Sequence, residues 1–97
     1  MIRRRLVRIR VYATLRDLMG GAVHDLPAPE GATVGDMVQR LVELHPALGE
    51  KLWNAEGRLT GYITVFLNGR SVEYLEGLAT PVSERDALSL FPPVGGG

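Results

Sequence analysis

Ninety-seven residues, 45% of them hydrophobic, suit one packed domain and argue against a disordered chain. Eleven basic and eleven acidic residues give a formal net charge of zero, which removes any general electrostatic reason to expect nucleic acid or an anionic membrane as a partner. With no cysteine, disulfides, thiolate-held zinc or iron–sulfur centres and a cysteine nucleophile are all excluded.

The chain opens on "MIRRRLVRIRVY". Its basic residues are followed by alternation, not by the unbroken apolar stretch of a signal peptide, and no run approaches the roughly 18 apolar residues of a membrane span. A cytoplasmic protein is the expectation. Residues 6–12 read as a strand with one buried face, Val7, Ile9 and Val11 pointing in and Arg8, Arg10 and Tyr12 pointing out. Arg3, Arg4, Arg5, Arg8 and Arg10 read more simply as charges protecting an edge strand than as a phosphate-binding patch. Gly20-Gly21 marks a turn and residues 22–26, "AVHDL", a second short strand, ended by Pro27 and Pro29. A hairpin is expected.

The segment "ATVGDMVQRLVELHPAL" carries the clearest helical signal. Thr33 is placed to cap it, Asp36 to complete a capping box, and Val34, Met37, Val38, Leu41 and Val42 to form one apolar face. Pro46 stops the helix near His45, whose ring is expected to face the negative end of the helix dipole. Residues 49–61 read as a loop plugged by Trp53. Residues 62–68, "YITVFLN", form a strand, Asn68-Gly69 a tight turn, 71–74 "SVEY" a return strand, and 86–91 "DALSLF" the last strand, with Leu88 and Leu90 on its inner face. One helix on a mixed sheet of about five strands is an α+β layer arrangement, and the order matches the β-grasp, or ubiquitin-like, fold. The expected division is a β-grasp domain over residues 1–91 and a flexible tail over 92–97.

That tail, "PPVGGG", has a chemistry of its own. Pro92 and Pro93 cannot donate to a sheet, so they stop the strand after Phe91 and aim the chain outward. Six residues reach on the order of 20 Å when extended. Gly95, Gly96 and Gly97 lack side chains and could thread a channel too narrow for any other residue. The carboxylate of Gly97 is ionised at neutral pH and is a poor electrophile, so acyl chemistry there needs activation, most simply by transfer to a nucleotide phosphate. Tyr12 and Phe91 fall on the same solvent-side face and could form an apolar partner patch; packing beneath the 49–61 loop is the alternative. The remaining polar residues carry no enzyme motif. His24 and His45 have no carboxylate at a metal-ligand spacing, Asp36 and Glu43 suit a cap and a surface position, and Gly20-Gly21 lacks the Lys-Ser/Thr of a phosphate loop.

"FPPVGGG", with "ATVGDMVQRLVELHPAL" and "ITVFLNG" upstream, resembles the MoaD/ThiS family of ubiquitin-like sulfur carriers, which includes the small subunit of molybdopterin synthase and archaeal small modifiers. "GLATPV" (77–82) is similar to members that donate sulfur in bacterial cysteine synthesis. The chain departs from the usual pattern at Arg85, where Gly commonly precedes the aspartate, and at Gly95, where Ala or Ser is common. The resemblance implies a carrier, not an enzyme. A ubiquitin-activating-type partner, using ATP and Mg²⁺, would adenylate Gly97; a sulfur donor would convert it to a thiocarboxylate; a downstream enzyme or synthase large subunit would take the sulfur. Gly95 and Gly96 would be the threading tail, and Phe91, Pro92, Pro93, Val94 and Tyr12 the partner interface. No cofactor or metal is expected to stay bound to the chain itself. Two further readings remain open: a modifier joined to lysine through the same Gly97, and an interaction module with an inert tail.

Overall fold

The computed structural model describes residues 6–56 and 63–92. Its sheet contains β1 (Leu6–Val11), β2 (Val23–Pro27), β3 (Thr64–Leu67), β4 (Arg70–Ser71) and β5 (Ala87–Phe91), in the spatial order β2-β1-β5-β3-β4. The β1 and β5 strands run parallel, with Ile9 opposite Leu88 and Val11 opposite Leu90; the other pairings are antiparallel. Alternation along β1 and β5 sends Val7, Ile9, Val11, Leu88 and Leu90 to one face. Three helices supply the other half of the core: α1 (Thr14–Met19), α2 (Val34–Leu44) and α3 (Pro46–Leu52). Val34, Met37, Val38 and Leu41 of α2 join Leu15, Met19, Leu48 and Leu52 in one cluster with the strand residues. Fully burying each such side chain contributes roughly 1.5–3 kcal/mol, which is what holds the layers together. The architecture is the α+β, ubiquitin-like β-grasp.

The start of α2 is fixed locally. Thr33 Oγ1 accepts from the Asp36 backbone N–H at 3.2 Å, and the Asp36 carboxylate accepts from the Thr33 N–H at 2.9 Å, a complete capping box. Gly35 in its first turn has a packing reason: a Cβ there would lie 3.1 Å from the Leu78 carbonyl oxygen and 3.2 Å from Leu78 Cβ. Asn68 (φ 52°) and Gly69 (φ 84°) are both left-handed, as a two-residue hairpin between β3 and β4 requires.

Several expectations are corrected. The expected antiparallel β1–β2 hairpin is present, but its connection contains a helix, α1, ended by Gly20 at φ 71°. Pro27 is still within β2 and lies opposite Leu6; β2 is an edge strand, where a missing donor costs little. The stretch read as a loop from residue 49 begins inside α3, because Pro46 both ends α2 and opens α3 at a position needing no N–H. Trp53 follows α3 half-buried against the core, and residues 57–61 of that stretch lie outside the described residues. The return strand is only Arg70–Ser71; Val72–Tyr74 is a 3₁₀ turn that swings Val72 into the core. Nor is β1 an edge strand. It is paired on both sides, so Arg8 and Arg10 do not guard an open edge, while Arg3, Arg4 and Arg5 lie outside the described residues. Among the described residues no helix is long and apolar enough to cross a membrane.

Candidate functional site

The sheet face turned away from the helices carries the outward-pointing residues of β1, β5 and β3. Register fixes its rows. Val23 stands opposite Arg10, Arg10 beside Ser89, and Ser89 opposite Phe66. One row further along, Phe91 stands opposite Thr64, and Tyr12 extends the β1 ladder by donating its backbone N–H to the Leu90 carbonyl at 3.3 Å. Tyr12 and Phe91 therefore become neighbours across the parallel β1–β5 seam. Their rings stack with centroids 4.4 Å apart and planes within 6°. Phe66 meets Phe91 edge-on at 5.3 Å, on the diagonal of the antiparallel β3–β5 pair.

Phe91 is the last residue of β5 and Pro92 the first of the tail, both half-buried; Tyr12 is 37% exposed. An apolar, ring-faced surface thus surrounds the point where the tail leaves the sheet. Pro93, Val94, Gly95, Gly96 and Gly97 lie outside the described residues.

Backbone geometry beside Tyr12 is unusual. Ala13 has φ 54° and ψ −129°, a region that suits glycine, and it turns the chain from β1 into α1. The turn leaves Tyr12 on the open face while Leu15 enters the core. At the other end of β5, Asn68 donates through Nδ2 to Asp86 at 2.8 Å and accepts from the Ala87 N–H at 2.9 Å. The second Asp86 carboxylate oxygen accepts from the Ser83 N–H at 2.8 Å. Arg85 is accommodated there without a left-handed backbone, so the glycine usual at that position is not required.

Two rows from the rings, Arg8 donates from Nε and Nη2 to the two carboxylate oxygens of Asp25, at 3.0 and 3.2 Å. That bond holds the Asp25 carboxyl below the usual carboxylate range; slight burial opposes it, and the positive charge of Arg8 and the nearby His24 add to it. The structure brings the two histidines together. His24 and His45 meet edge-to-face at 5.1 Å, and His24 Nε2 lies 3.0 Å from the Gly21 carbonyl oxygen. His45 is the C-cap of α2, the helix end expected of it, and also the N-cap of α3, so opposite dipole ends meet at it. Asp36 is the cap expected of it, and Glu43 pairs on the surface with Arg40 at 3.0 Å. Among the described residues no group of three or more His, Cys, Asp or Glu is placed to hold a metal ion. Of the residues named from sequence, the structure brings Tyr12, Phe91 and Pro92 together, and it adds Phe66, which the sequence reading did not name. The alternation of β3 could have found it, since Phe66 faces opposite to Val65 and Leu67.

The ThiS family model matches residues 9–97, so it takes in both the ring-faced surface and the tail. The chain belongs to the ThiS family. Among its relatives, small archaeal modifier protein 3 of Haloferax volcanii is 35% identical over 91 residues, covering 94% of this chain and 98% of the relative. Sulfur carrier protein CysO of Mycobacterium tuberculosis is 26% identical over 93 residues, 94% of this chain and 98% of CysO. In three dimensions the crystal structure of SAMP1 from Haloferax volcanii superposes with a TM-score of 0.84 at 33% identity, covering 95% of this chain and 99% of that one. These likenesses span nearly the full length of each protein, so this chain shares the overall fold of its structural relative from end to end.

Proposed function

We infer that this ThiS-family chain is a sulfur carrier whose working group is the carboxylate of Gly97. The observation that carries the reading is the stacked Tyr12–Phe91 pair, with Phe66, at the root of a tail that ends in three glycines. Such a surface gives an activating enzyme a fixed place to hold, from which the narrow tail can enter an ATP site. The adenylating partner would use ATP and Mg²⁺ to form the acyl adenylate of Gly97, releasing pyrophosphate. A sulfur donor would then displace AMP to give the thiocarboxylate, and a downstream sulfur-accepting enzyme would return the carboxylate. Phe91, Pro92 and Tyr12 would make the docking contact; Pro93 and Val94 would stiffen the exit; Gly95 and Gly96 would thread. The chain acts as substrate and carrier in this cycle, in the cytoplasm, with partner proteins supplying the catalysis.

A second reading, a modifier transferred to lysine, is favoured by one observation, the similarity to an archaeal modifier protein. Both begin with adenylation. ATP–pyrophosphate exchange by the cognate activating enzyme is the test. Exchange is expected with the full chain and is expected to vanish when Gly96 and Gly97 are deleted; exchange that survives the deletion contradicts both readings.

A further inference from the structure

Arg10 guards no edge, because β1 is paired on both sides, and its exposed guanidinium therefore needs another explanation. Register defines its surroundings. The row across the outer sheet face reads Val23, Arg10, Ser89, Phe66 and Ser71, with one cation, two hydroxyls and no carboxylate. The next row, at the end of β5, holds Tyr12, Phe91 and Thr64, again without an acid. The row on the other side contains Asp25, but both of its carboxylate oxygens are taken by Arg8. Among the described residues Arg10 has no ion pair and no side-chain hydrogen bond. Two residues along the strand, about 7 Å, separate it from Tyr12 on the same face.

An exposed arginine beside tyrosine and phenylalanine rings has the composition of an interface anchor. Its planar fork of donors matches a carboxylate through two parallel hydrogen bonds, as Arg8 and Asp25 demonstrate within this chain. A polyanion would need several free cations, and Arg8 is already neutralised. We propose that Arg10 is a specificity-determining residue of the ring-faced surface, where it takes an aspartate or glutamate side chain of the activating enzyme. The proposal rests on the reading of the chain as a carrier adenylated by such a partner. The rings supply apolar contact, and Arg10 selects among apolar surfaces: one without an acid would cover the guanidinium and leave it unpaired. Arg10 acts in docking and has no part in the chemical step.

The test is ATP–pyrophosphate exchange by the cognate activating enzyme over a range of concentrations of the full chain, native or carrying Arg10→Gln, Arg10→Glu or Arg10→Lys. Arg10 is exposed, and thermal unfolding of each variant verifies that the fold is kept. KM for the chain is expected to rise about tenfold in Arg10→Gln and about a hundredfold in Arg10→Glu, and saturating chain is expected to recover the rate. Arg10→Lys, which keeps the charge and loses the fork, is expected to fall between the native chain and Arg10→Gln. Raising salt from about 50 to about 500 mM is expected to raise the native KM and to leave that of Arg10→Gln nearly constant. A KM in Arg10→Glu equal to or below the native value, or a loss confined to kcat, overturns the acidic contact while the exchange itself upholds activation of the chain. Absence of exchange from the native chain overturns the carrier reading, and the proposal with it.

Discussion

At the residue scale, the ring pair and the turn beside it divide the labour. Tyr12 and Phe91 are held by strand pairing, and their stacking adds a direct term of about 0.5–1.5 kcal/mol. A double-mutant cycle with Tyr12→Ala and Phe91→Ala, read by chemical denaturation, is expected to give a coupling of that size. Additive effects would show that the rings are neighbours without mutual stabilisation. Ala13 lies beside them in a backbone region that penalises any Cβ. Ala13→Gly is expected to raise stability by about 0.5–1 kcal/mol, since relief of the strain exceeds the added chain entropy. A destabilised Ala13→Gly would mean that the Cβ packs favourably there. Tyr12 and Phe91 were legible in the sequence because alternation alone assigns them to the outer face. Their contact was less so, as it depends on β5 inserting beside β1, which no local signal encodes.

Among elements, the two joined by Arg8 and Asp25 offer a pH test. The Asp25 carboxyl titrates lower in the folded chain than in the unfolded one, where a value of about 3.9 is normal. Its contribution to stability is therefore fully present above that unfolded value and is lost as pH falls through the lower, folded value. Asp25→Asn is expected to reduce the acid-side slope of the stability curve between pH values of about 5 and 2, and an unchanged slope would remove the pair from the account of β1–β2 pairing. The elements legible in advance were those with their own punctuation: α2 with its capping box, the Asn68-Gly69 turn, and the alternating strands β1 and β5. The others depend on tertiary context. Six-residue α1 is too short to declare itself and is held by the burial of Leu15 and Met19. Pro46 reads as a stop, and its second role as the first residue of α3 becomes visible only when Leu48 and Leu52 are seen to be buried. β4 is curtailed because Val72 gains more from the core than from continuing the ladder.

Over the whole molecule, the parallel β1–β5 seam sets Phe91, the end of β5, in the middle of the sheet. The helical layer covers one face, and the other presents the rings from three directions around the root of the tail. Under the proposed function this arrangement would separate the two tasks of a carrier, with the ring face for recognition and the glycine end for chemistry. It also explains why a chain without cysteine can handle sulfur, since the sulfur would ride on the terminal acyl group and meet no competing thiol. The candidate site was legible in the sequence from Tyr12 and Phe91 through to Gly97, except for Phe66, whose place beside Phe91 depends on the β3–β5 register. Phe91 and Pro92 lie within the described residues, whereas the group assigned the chemistry is known from the sequence and from the family match reaching Gly97. The most direct test is the intact mass of the untagged protein isolated from its own cells. A fraction heavier by about 16 Da, oxygen exchanged for sulfur and located to Gly97 by fragmentation, is the expected result. Unmodified carboxylate throughout, in cells shown to contain the active adenylating enzyme and sulfur donor, would contradict sulfur carriage by this chain.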